Sequence, residues 1–232
     1  MSSPVDTDSE TEPRDDILRL SYAFIDDEAK RAQALAVAAF LELLREVPQK
    51  VSEPLLGDIR YTWWYEAINE IAEGRKVRYH PLSAALETLI RQHGLEAEVF
   101  REAIDAYRLL LEEGRMSLKQ ALELVDAADV ALIRQAARQI SPDTDTTALS
   151  APVRFYALAL MRAQGLLNAD EAGDTEYRHL YREARQALKT LPSKLLPLAL
   201  PAALATDRWT GHRRGPLGQR FKLFWVFLTG RI

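Results

Sequence analysis

Charged and aromatic side chains occur together in one stretch of the chain, between residues 53 and 86. Arg60 and Glu66 flank two adjacent tryptophans, Trp63 and Trp64. If neighbouring helices cover these side chains, the charged groups must find partners inside the fold or face an enclosed space. The stretch therefore predicts a space in which a ligand could bind.

Other common catalytic or metal-binding patterns are missing from the sequence. The chain has no cysteine, and its four histidines lack a second histidine or a carboxylate at metal-ligand spacing. A nucleophile elbow, a phosphate loop and a dinucleotide fingerprint are all absent. His80 precedes Pro81 and is expected to be structural.

A helix is needed to position the two tryptophans. The sequence predicts one from about Pro54 to Ala72, closed by Gly74. Its apolar residues recur every fourth position and form one broad stripe. They are Ile59, Trp63, Ala67 and Ile71, with Trp64 and Ile68 beside them. Tyr61 is expected to lie off this stripe, together with Arg60 and Glu66.

The order of short elements in this stretch resembles the squalene/phytoene synthase family. The matching elements are Glu53-Pro54, Ile59-Arg60, Trp63-Trp64, Ala67-Ile68, Gly74, His80-Pro81 and Ala85-Leu86. Each element is common by itself, so the alternative is an ordinary buried helix with aromatic packing. The resemblance implies an all-α bundle of the isoprenoid synthase type that encloses a central cavity.

Active members of that family condense two prenyl diphosphates head to head, and the resemblance implies Mg²⁺ for this chemistry. Two Asp-rich motifs on facing helices hold the metal, because Mg²⁺ prefers carboxylate oxygens. In each motif two aspartates stand four residues apart, which places both on one face of a helix.

This sequence departs from both motifs. Superposition places Arg45 and Gln49 on the two Asp positions of the first motif. In the second motif Arg162 matches the family's arginine, but alanine or leucine replaces the asparagine and both aspartates. The replaced positions are Ala159, Ala163 and Leu167. Because arginine repels a metal ion, we predict a pseudoenzyme without metal or other cofactor. The alternative is a prenyl diphosphate transferase with unusual Mg²⁺ ligands.

The family includes a non-catalytic branch with a mitochondrial assembly factor for respiratory complex I, and the chain resembles that branch from about Ile17 onward. The resemblance implies a role in respiratory complex assembly, or in binding an isoprenoid or other lipid, at a membrane. The residues predicted to line the cavity are Arg60, Trp63, Trp64, Glu66 and Arg162. For the three charged residues, an internal salt-bridge network is the alternative.

The C-terminal segment predicts a second functional surface. A helix there would carry one apolar stripe formed by Leu217, Phe221, Phe224, Trp225 and Leu228. Such a basic, aromatic helix is typical of an interfacial membrane anchor. The alternative is a terminal helix docked on its own domain. The predicted membrane or partner contacts are Arg213, Arg214, Arg220, Phe221, Lys222, Phe224 and Trp225.

Helical periodicity dominates the remaining sequence, and alternation of period two is almost absent, so we predict an all-α fold without a sheet. Residues 1–14 form a disordered acidic leader. Residues 15–211 form one helical domain, and residues 212–232 form the basic C-terminal helix. Pro48 is expected to end the long alanine-rich helix before it.

Composition limits the location and the partners. The formal net charge of −4 implies no general attraction to nucleic acid. Secretory and mitochondrial targeting patterns are absent from the N-terminus, and no apolar run is long enough to cross a bilayer. We therefore expect a cytoplasmic protein at the inner face of a bacterial membrane, or a mature mitochondrial matrix protein.

Overall fold

The computed structural model describes residues 11–168 and 174–232. Most of the predicted acidic leader, residues 1–10, lies outside the described residues. Within the described ranges the chain is helical, and its only β-type pairing is an isolated bridge between Met116 and Leu167. The all-α prediction is confirmed.

Twelve α-helices, numbered in chain order, cover most of the described residues. They are α1 (Asp16–Tyr22), α2 (Glu28–Lys50), α3 (Pro54–Ala72), α4 (Pro81–Arg91), α5 (Ala97–Glu113), α6 (Leu118–Val125), α7 (Ala131–Ile140), α8 (Ser150–Ala163), α9 (Asp174–Thr190), α10 (Leu196–Ala199), α11 (Ala205–Thr210) and α12 (Pro216–Thr229). A π-turn, Asp126–Val130, joins α6 to α7. Two 3₁₀ turns, Thr147–Leu149 and Leu200–Leu204, precede α8 and α11.

Local sequence explains where several helices begin. Ser117 accepts a hydrogen bond from the backbone N–H of Gln120 and caps α6, and Asp27 caps α2 in the same way. Proline opens α3, α4 and α12, at a position where its missing N–H is not needed. These caps fix the entry points of the helices that carry the candidate site.

One continuous hydrophobic core holds the helices together, and it includes residues from α1 through α12. Helix α2 contacts α3, α5 and α7, while α8 packs against α9, α11 and the π-turn. Helix α3 packs against α5, and Gly57 there faces the side chain of Leu111. Helices α2 and α8 therefore form the centre of the bundle, where the family's two metal motifs were expected.

The apolar stripe predicted for α3 is rotated in the structure. Ile59 is 56% exposed, whereas Tyr61, which was expected off the stripe, is completely buried. Residues four positions apart turn about 40° around the helix at each step, so a stripe of strict period four drifts out of the core. The buried face instead follows mixed spacings of three and four, with Tyr61, Trp64, Ile68 and Ile71.

Pro48 does not end α2, which continues to Lys50, so the predicted helix end was wrong. A proline inside a helix leaves the carbonyl four residues earlier without its usual N–H partner. Here that carbonyl belongs to Leu44, and the Tyr61 hydroxyl donates to it at 2.8 Å. The same hydroxyl is 3.2 Å from the Tyr107 carbonyl. Tyr61 thereby joins α3 to the proline turn of α2 and to α5.

This arrangement predicts coupling between Pro48 and Tyr61. Tyr61→Phe leaves the buried Leu44 carbonyl unpaired and should lower the free energy of unfolding by about 1–3 kcal/mol. In Pro48→Ala the new backbone N–H can bond to that carbonyl, so Tyr61→Phe should cost less in the Pro48→Ala background. A double-mutant cycle by urea unfolding measures the coupling. Strictly additive effects would contradict this assignment.

Candidate functional site

Arg45, at the first motif position, lies buried at the centre of the bundle. One of its Nη atoms is 2.5 Å from an Asp129 carboxylate oxygen and 3.0 Å from the Tyr107 hydroxyl. That hydroxyl donates to the other Asp129 oxygen at 2.8 Å. Asp129 belongs to the π-turn, so helices α2 and α5 and this turn meet at one buried polar cluster.

The electrostatics of this cluster follow from its burial. A guanidinium remains protonated in proteins, so Arg45 brings a permanent positive charge into the core. Burial raises the pKa of Asp129, and the adjacent Arg45 opposes that shift. Burial also raises the pKa of Tyr107, which keeps its hydroxyl protonated. The result is a buried ion pair held by a neutral phenol.

One of the two spaces that Arg45 lines is small. A cavity of about 40 Å³ lies between α1, α2, α8 and the 3₁₀ turn that follows α10, with Tyr22, Arg45, Asp129 and Tyr156 among its lining residues. That volume holds about two or three water molecules. Arg45 Nε is buried there without a hydrogen-bond partner. This cavity is therefore too small for a prenyl chain, and the second space, an open pocket of about 440 Å³, lies between α1, α2 and the end of α8.

The remaining motif positions also lack metal ligands. Gln49 is exposed and bonds to the Arg45 carbonyl at 3.5 Å. Ala159 and Leu167 are buried, and Ala163 is exposed at the end of α8. Across residues 11–168 and 174–232, no three side chains of His, Cys, Asp or Glu group as they would around a metal ion. These residues do not fit the Mg²⁺ that the family resemblance implies.

The structure separates the five predicted cavity residues. Arg60, Trp63 and Trp64 line an open groove of about 690 Å³ between α2, α3, α4 and the segment before α1. Glu66 is exposed and forms an ion pair with Arg78 at 2.6 Å. Arg162 lies in a different pocket beside α11. The sequence placed these residues in one cavity, and only three of them line a common space.

His80 joins the two tryptophans in the groove. Its ring centre lies 5.1 Å from that of Trp64 and 6.2 Å from that of Trp63. Its Nδ1 accepts the Leu82 backbone N–H and caps α4, in agreement with the structural role expected for it. Arg78 lies over the Trp63 ring at 5.5 Å. The groove wall is thus an aromatic cluster with a cation at its edge.

Two glutamates on α2, which the sequence analysis did not single out as a pair, also line this groove. Glu42 and Glu46 stand one helical turn apart, as the aspartates of the family motif do. Glu42 accepts backbone N–H groups of Arg14 and Asp15, and Glu46 pairs with Arg14 at 3.3 Å and with Lys50. Burial raises the pKa of Glu42, with Glu46 and Asp15 adding to the shift. The i, i+4 spacing was the signal that could have identified them.

Helix α12 has one face buried against the domain and one face exposed. Leu223 and Val226 are buried against the domain, and Phe227 stacks on Phe24 at 4.4 Å between ring centres. The predicted stripe faces outward on the other side, where Leu217 is 80% exposed and Trp225 is 54% exposed. The helix therefore docks on its own domain, as one of the two readings expected, and it also presents an exposed apolar stripe.

The basic residues near α12 differ in their surroundings. Arg213 and Arg220 are exposed. Arg214 donates two hydrogen bonds to Asp207, at 2.8 and 3.2 Å, so its charge is compensated inside the domain. Burial lowers the pKa of Lys222. Within the described residues, no helix combines the length and the hydropathy that a membrane crossing requires.

Because Arg45 and Asp129 are both buried, we expect the free energy of unfolding to fall strongly when either partner is removed alone. Arg45→Met leaves a buried carboxylate unpaired and should lower the free energy of unfolding by about 3–5 kcal/mol. Adding Asp129→Asn should recover at least half of that loss. Lys119→Met, which removes one partner of the exposed Lys119–Glu123 pair, is the matched control and should change little. Urea unfolding measures the wild type and these three variants, and an unchanged stability of Arg45→Met would contradict the assignment.

The ion pair of Glu70 with Arg78 predicts that the stability contributed by the loop before His80 depends on pH. Hydrogen bonds from Arg78 lower the pKa of Glu70 to about 2, against an ordinary value of 4.5. Because the unfolded chain binds the proton more tightly, this stabilisation is complete above pH 4.5 and is lost as the pH falls towards 2. Glu70→Gln should therefore flatten the fall in melting temperature over this range. Glu73→Gln, at an exposed neighbour, is the control that should leave the wild-type slope.

Comparison with known families gives one match. The model of the family described as squalene/phytoene synthase matches residues 20–168, which include α2 to α8, the central ion pair and both tryptophans of the groove. A search of curated proteins gave no match. The matched region covers more than half of the 232 residues, and the helical architecture agrees with an isoprenoid synthase fold. The chain therefore belongs to the squalene/phytoene synthase family.

Proposed function

We propose that this chain is a non-catalytic member of the squalene/phytoene synthase family. We also propose that it docks on an anionic membrane surface through the outer face of α12. The observation that carries the membrane part is the stripe of five exposed apolar side chains on a helix whose opposite face is buried. The observation that supports the non-catalytic part is the buried Arg45–Asp129 ion pair at the first motif position.

The non-catalytic proposal follows from the chemistry of diphosphate departure. The leaving group carries several negative charges, and a bound metal supplies several kcal/mol of transition-state stabilisation. Arg45 holds a positive charge at the motif position, but Asp129 already compensates it. The adjoining cavity of about 40 Å³ leaves no room for two prenyl chains in this conformation.

The membrane proposal rests on shape and charge together. An interfacial helix needs apolar side chains on one face and basic side chains beside them. The chain contains no acid after Asp207, and Arg213, Arg220 and Arg231 are exposed around the stripe. Each such cation near an anionic surface contributes about 1 kcal/mol. This charge favours a lipid surface over an acid-rich partner of smaller area.

The location and the wider role belong to the same proposal. An anionic inner leaflet, bacterial or mitochondrial, provides the surface that α12 requires. Placement in the branch that serves respiratory complex I assembly is supported by the resemblance around Trp63 and Trp64, and it requires a protein partner in addition to the membrane. The groove of about 690 Å³ beside these tryptophans is the surface we assign to an isoprenoid, another lipid or that partner.

One observation favours the alternative, a prenyl diphosphate transferase with unusual metal ligands. Glu42 and Glu46 reproduce the spacing of a metal motif and line a groove large enough for a substrate. Both carboxylates are already engaged by the Arg14 segment or by Lys50. For that reason we rank this function second.

The proposal that the chain is non-catalytic predicts no turnover. The purified chain, incubated with Mg²⁺ and farnesyl or geranylgeranyl diphosphate, should release no diphosphate above the uncatalysed background. An active family member assayed in parallel is the positive control. If turnover occurs at an enzymatic rate and Glu42→Gln removes it, the alternative function is correct.

The membrane proposal predicts selective loss of vesicle binding. The chain should float with vesicles containing phosphatidylglycerol, and Phe221→Ser/Trp225→Ser should reduce its affinity about tenfold or more, because two exposed aromatic anchors are removed. Leu55→Ser/Ile59→Ser removes comparably exposed apolar groups from α3 and is the matched control. Equal flotation of the α12 double variant and the wild type would refute docking through α12. Capture of a protein partner that depends on Phe221 and Trp225, without flotation, would assign the stripe to that partner.

A further inference from the structure

Helix α9 carries a row of cations on one face. Arg182, Arg185 and Lys189 are all exposed. Successive residues of an α-helix are rotated by about 100°, so these three side chains lie within about 60° of one another around the helix. They extend over about 10 Å along its axis. These three residues are called the α9 basic row.

The acids and the apolar residues of α9 lie on other sides of the helix. Glu176 and Glu183 are rotated by about 100° or more from each member of the row, and Glu183 lies 3.5 Å from His179. A different side of α9 packs against the domain, and its buried residues are Leu180, Ala184 and Leu188. The row therefore faces outward as a purely basic surface.

The cations of the row have no negative partner within the protein. Across the described part of the chain, none of the three forms an ion pair. The Arg182 Nε donates to the Arg178 carbonyl at 3.1 Å, a contact within the helix that supplies no full negative charge. Like charges three or four residues apart destabilise a helix. An anionic partner outside the chain would remove that repulsion.

The row adjoins the end of the exposed stripe on α12. The Tyr181 hydroxyl donates to the main-chain oxygen of Ile232 at 3.1 Å, so the segment after α12 is attached to α9. An added Cβ on Gly230 would lie 3.9 Å from the Cα of Lys189. Leu228, the last member of the stripe, is 63% exposed and stands two residues before this glycine. The basic row thus begins where the apolar stripe ends.

This continuity selects the kind of partner. A partner that covers both surfaces must present an apolar layer with a plane of anions beside it. An anionic bilayer offers both, because its phosphates lie at the boundary of its acyl chains. Guanidinium and ammonium groups bind phosphate oxygens, and their long apolar stems let the charged ends reach toward a surface.

We propose that the α9 basic row is a second membrane-contact surface, which binds the lipid phosphates of the anionic bilayer on which α12 rests. This inference rests on the proposed membrane function and adds a contact to it. Helix α12 supplies the apolar contact and α9 the electrostatic one. Contact through two helices fixes the orientation of the domain on the bilayer, whereas a single helix would let it roll about the helix axis.

Binding to vesicles of different lipid composition tests the row. Arg182→Gln/Arg185→Gln/Lys189→Gln should weaken binding to vesicles rich in phosphatidylglycerol about tenfold or more, because three cations near the anionic surface are lost. On vesicles of phosphatidylcholine alone this variant and the wild type should bind equally. The three side chains are exposed, so the variant should keep the wild-type helical circular dichroism and urea midpoint.

A matched variant controls for net charge. Lys76→Gln/Arg115→Gln/Arg138→Gln removes one lysine and two arginines from exposed positions outside α9 and α12. At physiological salt, charges farther from the bilayer than about 8 Å are largely screened. This control should therefore bind anionic vesicles as the wild type does. Equal losses in the two triple variants would show an effect of net charge and would overturn the row as a contact surface.

A fluorescent probe tests the contact directly. The chain has no cysteine, so a single introduced cysteine can carry the label. Gln186→Cys places it on α9 beside the row, and Lys119→Cys places it on α6, both at exposed positions. Phosphatidylcholine with a spin-labelled headgroup, added to the anionic vesicles, should quench the label at position 186 and leave the label at position 119 bright. An unquenched label at position 186 on bound protein would overturn the proposal.

The two membrane proposals fail in different ways. Phe221→Ser/Trp225→Ser should lose binding to every vesicle, whereas the variant of the row should lose binding only to anionic ones. If the α12 variant loses binding and the variant of the row binds anionic vesicles as the wild type does, docking through α12 stands and the contact through α9 is refuted. If the wild type binds no vesicle, both are refuted.

Discussion

The buried ion pair between Arg45 and Asp129 is the constraint on which the centre of this structure depends. A lone charge at that depth would be too costly to retain, and each partner is acceptable only because the other is present. Tyr107 completes the cluster by bonding to both. The pair connects α2 to the π-turn across the region where relatives with Asp-rich motifs would gather metal ions.

The same ion pair stabilises the fold and also limits the space between the central helices. In an isoprenoid synthase fold the central helices must remain apart to admit substrate chains. Here the salt bridge and the side chains around it bring α2, α8 and the π-turn together, with a space of about 40 Å³ between them. The larger open spaces of the described chain lie nearer the surface, in the tryptophan groove and in the pocket beside α11.

Much of the helical fold could be predicted from the sequence, because caps, prolines and apolar periodicity act locally. The rotation of α3 could not, since Ile59 and Tyr61 fit a helix equally well and only packing against α5 selects between them. The partner of Arg45 lies 84 residues away, in a π-turn that has no clear sequence signal. Arg162 was expected in the central cavity but lies beside α11, for a related reason. The motif places Arg162 on a helix, but its contact with Trp209 determines the direction of its side chain.

The π-turn determines from which side Asp129 approaches Arg45. A π-turn contains about one more residue than an α-helix of the same length along its axis. Without that extra residue α6 and α7 would be one uninterrupted helix, and the side chains after it would rotate by about 100°. Asp129 reaches Arg45 from within this turn. A return to aspartate at position 45 alone would therefore set two buried carboxylates against each other.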